Sequence, residues 1–157
     1  MKETRMTNDE RKRELLLAGD RCEAYGEIQN LISRAAFAFT YHEAEKQKAF
    51  FALDWEDVEL ILPDYESAKG GTAVAKRIDD VMGAALRPGE MDEAYLCSPV
   101  IEIADNAETA KGSWWVMNAI GEPQEQGDPK AFWAFGSSQV KIEKPKQIFH
   151  TESATHQ

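Results

Sequence analysis

The sequence predicts an α+β domain, with helices packed on one side of an antiparallel sheet. Three observations carry this. Apolar residues in the first half recur in steps of three and four, the signature of helices with one buried face. The second half instead holds long runs of alternating and β-branched residues separated by short polar breaks. Within it, SPVIEIADNAETAKGSWW (Ser98–Trp115) reads as two strands joined by the Asp105-Asn106-Ala107 turn, with two large aromatics on the second strand. Such a hairpin describes the curved wall of a pocket.

Each element follows in order. Thr7 and Glu10 have the spacing of a capping box, which starts a short helix at Asn8–Ala18. Gly19-Asp20 punctuates it, and a longer helix runs over Arg21–Glu43. Its stripe is Ile28, Leu31, Ile32, Ala35, Ala36, Phe39 and His42, with Phe37 and Tyr41 as a flanking row. A third helix, Glu45–Ala52, presents Phe50 and Phe51. Asp57–Leu62 is a strand ended by Pro63-Asp64. Gly70-Gly71 is a turn, and Thr72 caps a helix reaching Leu86, where Arg87-Pro88-Gly89 breaks it. Strands follow at Glu93–Ala104, Glu108–Ile120, Lys130–Glu143 and Gln147–Ser153, with Glu122–Pro129 as a loop. The expected organisation is a helical extension over residues 1–20, the α+β domain over 21–150, and a polar, frayed tail over 151–157.

Composition excludes several function classes. A chain of 157 residues suits one domain with a real core. A net charge of −10 opposes binding to nucleic-acid phosphates or to anionic lipid. Cys22 and Cys97 lack zinc-site spacing and make no disulfide framework, so both are expected to be reduced, small core residues. The charged N-terminus is no secretory signal, and no apolar run approaches the ~20 residues of a membrane span. A cytoplasmic protein is the expectation. There is no GxSxG elbow, no HExxH and no dinucleotide fingerprint, and Gly70-Gly71 lacks the Lys of a phosphate cradle.

Four segments together resemble a known family: EIQNLISRAAFAFTYHEAEKQKAFFA (Glu27–Ala52), the Gly70-Gly71 step into a helix, Ser98–Trp115, and KAFWAFGSSQVKI (Lys130–Ile142). They are similar to the SnoaL-like, polyketide-cyclase-related group of the nuclear transport factor 2-like (cystatin-like) superfamily, over residues 21–150. The resemblance implies a cone, a strongly bent sheet wrapped around the long helix with an apolar pocket at one end. It also implies proton transfer next to a carbonyl, as in cyclases, ketosteroid isomerases and dehydratases, usually with no metal or organic cofactor. Homodimers through the outer sheet face are common in that family. Other members only bind ligands or partners, so function must be argued from the site.

The family's catalytic pattern fits this chain incompletely. Dehydratase-like relatives carry Tyr and Asp on the long helix where this chain has Phe37 and His42. His42 reads either as a base suited to near-neutral proton transfer or as a half-buried histidine satisfied by a backbone carbonyl or carboxylate. The strand histidine of those relatives is missing; Ala94, Tyr95, Leu96 and Cys97 stand there, leaving Tyr95 or Tyr41 as a phenolic donor. Asn118, following Trp114, replaces a carboxylate; an amide can orient a carbonyl but takes no proton. Alternation puts Trp114, Val116 and Asn118 on one strand face, and Trp133 and Phe135 together on the next strand, without saying which set faces inward. Phe37, Phe51, Trp55, Trp114, Trp133 and Phe135 are the candidate walls. Asp54, Glu56 and Asp57 around Trp55 read as a solvated loop, and His150 stands near the opening. The expectation is a cofactor-independent lyase or isomerase acting on a small apolar carbonyl or hydroxy compound. The alternative is a non-catalytic module that binds a hydrophobic ligand or only dimerises.

Overall fold

One helix stands where two were expected. In the computed structural model, which describes residues 6–63, 65–124 and 127–143 and the backbone of 147–156, α1 runs unbroken over Asn8–Thr40. The capping box that opens it is formed: the Thr7 N–H donates to Glu10 Oε2 at 2.7 Å, and the Glu10 N–H donates to Thr7 Oγ1 at 3.2 Å. Gly19 does not end it, because a solvent-facing helix glycine costs only ~1 kcal/mol relative to Ala, and a Cβ there would meet nothing within 4 Å. The helix is about 50 Å long at 1.5 Å per residue. Ala24, Ile28, Leu31, Ile32, Ala35 and Ala38 form its buried stripe, whereas Leu15 and Leu16 are exposed on the part before the domain.

The helix ends earlier than the pattern suggests. His42 takes φ 51°, a left-handed conformation that stops helical hydrogen bonding, so Glu43 lies outside it. Short α2 spans only Ala44–Lys48. Then come β1 (Glu59–Ile61), β2 (Ala68–Lys69), α3 (Gly71–Met82), β3 (Met91–Ile103), β4 (Thr109–Glu122), β5 (Lys130–Glu143) and β6 (Gln147–His156). Gly70, with φ 82°, is the N-cap of α3, and Thr72 makes no cap bond because the helix has already begun before it. Gly71 is required by close approach: a Cβ there would lie 1.6 Å from the Leu53 carbonyl oxygen.

The six strands form one sheet in the order β2-β1-β6-β5-β4-β3, antiparallel except for the parallel β1–β6 pair. The expected frayed tail is instead strand. Residues 151–156 pair with Phe135–Val140, so backbone hydrogen bonding along an otherwise open strand outweighs their polar side chains. The side chains of residues 147–157 lie outside the described residues, and with them the expectations for His150 and His156. In β3 the register slips between Cys97 and Val100, where Ser98 has φ 50°. This bulge absorbs Pro99, which has no N–H to give the ladder, and bends the strand. The bend helps curl the sheet around α1.

Ile28, Leu31 and Ile32 of α1 share one core with Phe51, Val58, Val74, Ile78, Trp114 and Ile142. Neither cysteine joins it. Cys22 and Cys97 are both free and exposed, correcting the expectation that they are core residues. Cys97 pairs with Trp115 on the convex face, and Cys22 sits off the buried stripe of α1. Among the described residues no helix is long and apolar enough to cross a membrane.

Candidate functional site

A cavity of about 290 Å³ lies between the helices and the concave face of the sheet. Its origin is legible in the register. Ala94, Leu96, Val116, Asn118, Gly136 and Ser138 all belong to the inner alternation, and the pairs Ala94–Asn118, Leu96–Val116 and Val116–Gly136 place them side by side. With Ala94 and Gly136 at the centre, the sheet offers too little side-chain volume to fill the space under α1. Ile32, Ala35, Ala36 and Phe39 form the ceiling, Gln47 and Phe51 one end, and Ile78, Val81 and Met82 of α3 the side. The surroundings are mostly hydrocarbon, with a few polar groups, as small-molecule sites usually are.

Those polar groups are informative. Asn118 and Gln47 line the cavity, and Asn118 Oδ1 and Gln47 Oε1 are buried without a hydrogen-bond partner. An orphaned buried acceptor costs ~1–3 kcal/mol, so the wall carries unmet bonding capacity. Asp92 stands on the same inner face, two residues before Ala94 and just outside the lining residues, and one of its carboxyl oxygens is likewise buried and unpartnered. Burial pushes its pKa above the usual carboxylate value, an effect that the nearby His42 charge partly opposes. The Ala94 N–H donates to Thr40 Oγ1 at 3.3 Å, tying the end of α1 to this part of β3.

The predicted site residues separate into groups. Phe51 and Asn118 line the cavity; the others do not. His42 Nδ1 lies 2.9 Å from the Ala84 carbonyl oxygen and therefore donates to it, matching the carbonyl-satisfied alternative instead of a base facing the hollow. Tyr41 caps α1 and is exposed, with exposed Phe37 stacked on it at 6.5 Å between ring centroids. Tyr95 is on the convex face, where its hydroxyl donates to the Glu93 carboxylate, which raises its pKa. Trp133 lies 6.3 Å from Tyr95, and Phe135 pairs with Met117 on the same outer face; both are exposed. Trp114 faces inward but is spent on core packing, and half-buried Trp55 packs against that core. Asp54, Glu56 and Asp57 are exposed.

Sequence reasoning missed Asp92, Gln47 and Tyr65. Asp92 had a findable signal, since Asp92, Ala94 and Leu96 alternate with Glu93 and Tyr95, which puts one acid on the Leu96 side. Gln47 and Tyr65 sit on a short helix and a loop, where no periodicity marks an inward residue. Among the described residues no cluster of His, Cys, Asp or Glu has the shape of a metal site.

No protein-family model matches the chain, and no curated protein matches it. Solved structures do. A candidate scytalone dehydratase from Novosphingobium aromaticivorans superposes with a TM-score of 0.69 at 14% identity, over 89% of this chain and 89% of that one. A candidate dehydratase of the nuclear transport factor 2-like family from Streptomyces avermitilis gives 0.65 at 11% identity, over 86% and 98%. A candidate polyketide cyclase from Xanthomonas campestris gives 0.52 at 18% identity, over 85% and 90%. The fold is thus the nuclear transport factor 2-like, cystatin-like cone. It is the scaffold that the Ser98–Trp115 and Glu27–Ala52 segments resemble.

Proposed function

We propose that this chain is a cofactor-independent lyase or isomerase that moves a proton beside the oxygen of a small, largely apolar carbonyl or hydroxy compound. One observation carries the reading: a mostly hydrocarbon cavity has the amide of Asn118 in its wall and a half-buried carboxyl, Asp92, one register step away. Diagonal cross-strand neighbours lie ~7–8 Å apart, so a substrate oxygen on the amide leaves its adjacent carbon toward the acid. In this mechanism Asp92 takes the proton, and the C–H electrons move toward the substrate oxygen, which accepts hydrogen bonds from the amide N–H groups of Asn118 and Gln47. The proton then returns from Asp92 at a second carbon, or passes from Asp92 to a hydroxyl on that carbon, which leaves as water. Partial desolvation makes Asp92 a stronger base than a free carboxylate. Candidate cyclases and dehydratases share the fold, which raises the weight of this reaction class.

A second reading, ligand binding without turnover, draws on His42 being engaged by Ala84 outside the cavity. One experiment separates the two. Cyclic ketones and hydroxyketones are incubated with the protein in D2O, and loss of the α-proton signals is followed by NMR. Exchange above background that disappears in Asp92→Asn, with binding retained, is the expected result. Binding with no exchange by the wild type refutes the enzyme reading and leaves the binding module. We also propose a homodimer through the convex face, where Tyr95, Trp115, Trp133 and Phe135 are exposed together.

A further inference from the structure

We infer that Tyr65 is the gate of the cavity, and that Arg77 holds it in place. The inference rests on the reading that the cavity takes a ligand. Among the described residues lining the hollow, Tyr65 alone is exposed, at 50% relative accessibility; the others are buried or half-buried. It therefore stands where the wall meets solvent. Arg77 reaches across from α3 with two contacts. Its guanidinium carbon lies 4.8 Å from the Tyr65 ring centroid, and its Nη1 donates to the Glu66 carbonyl oxygen at 2.7 Å.

These contacts act on adjacent residues and fix different things. The hydrogen bond holds the backbone just after Tyr65, and the cation–π contact holds the ring. The planar guanidinium suits both tasks at once, offering its face to the ring and an N–H to the carbonyl. Among the described residues Arg77 makes no salt bridge. A ligand entering past Tyr65 must displace the ring from this clamp. Tyr65 thereby sets the size limit and the exchange rate of the cavity, while Asn118 and Gln47 set the polarity of what is held. Arg77 is a positioning residue, acting through Tyr65.

The test uses the full chain and two probes, cyclohexanone and the bulkier 2-decalone, with affinity and release measured by ligand-observed NMR. In Tyr65→Ala and Arg77→Gln, cyclohexanone release speeds up about three- to fivefold, the size that one exposed cation–π contact carries. Both variants admit 2-decalone more tightly than the wild type does. Tyr65→Phe behaves like the wild type, because its ring still meets the guanidinium, and Arg77→Lys falls between. Equal melting temperatures across the set exclude a folding effect. Wild-type binding whose rate and size limit are unchanged in Tyr65→Ala overturns the gate alone. Absence of any probe binding to the wild type overturns the ligand-bearing cavity, and the gate with it.

Discussion

The indole of Trp114 lies over Gly112, two residues earlier on the same face of β4; a Cβ added to Gly112 would come within 2.2 Å of the ring. The glycine in KGSWW is therefore the seat of the buried tryptophan, and Trp114 is 5% exposed because that seat exists. Gly112→Ala must displace either a backbone in mid-sheet or a large ring in the core. Overpacking of this kind costs about 1–3 kcal/mol. Urea unfolding should show that loss, with a smaller one when Gly112→Ala is introduced into Trp114→Leu, because the clash is then gone. Equal losses in both backgrounds would contradict the contact.

Asp92 makes a prediction with a definite sign. Its folded pKa is raised by burial, so between the unfolded carboxylate value of ~3.9 and that raised value the native state binds more protons than the unfolded chain. Stability falls as pH rises through this window and stays lowered above it. Asp92→Asn removes the charged form, so its melting temperature should exceed the wild type's near neutrality and converge on it below about pH 4. Turnover should be lost where stability is gained, as expected when a group is kept for chemistry. A variant less stable than the wild type at neutral pH would show that the Asp92 charge is well paired.

How much of this was legible in the sequence depends on what decides each element. The hairpin Ser98–Trp115 and the stripe Ile28–Ala35 were readable because periodicity reports burial directly, and here burial agrees with local preference. No break occurs at Gly19-Asp20, because one solvent-facing glycine costs too little to end a long helix and meets no steric demand there. Strand β6 runs past Ser153, where no local pattern marks it, because its pairing with Phe135–Val140 belongs to the backbone of two distant segments. The site was less legible than the fold. Trp133 and Phe135 have the same composition signal as Trp114, but their outward direction follows from a register fixed only when β4 and β5 pair.

His42 illustrates how a titratable residue can serve structure. It occupies the left-handed position after α1 and donates to Ala84, holding the segment between α3 and β3 against the helix end. His42→Ala should lower stability by about 1 kcal/mol, the usual worth of one such hydrogen bond, while proton exchange on a bound ketone persists. His42→Gly should be less harmful, because glycine accepts φ 51° without strain. Complete loss of exchange in His42→Ala, with binding intact, would restore His42 to the chemistry.

The convex face supplies the last test. Tyr95 and Trp133 make an aromatic pair there, and Met117, Phe135 and Trp115 extend it across β4 and β5 with no described element covering them. A net charge of −10 disfavours bringing two copies together unless the contact is apolar, and among the described residues this patch carries no acid besides Glu93 at its edge. A two-fold pairing would bury the patch against itself, with each Trp133 as an anchor of the kind that dominates interface energies. Trp133→Glu places like charges in that contact and should weaken the dimer by at least tenfold, about 1.4 kcal/mol, leaving a folded monomer. Sedimentation velocity reads the outcome: a wild type that stays monomeric at high concentration, or a Trp133→Glu variant that still dimerises, would exclude this face as the interface.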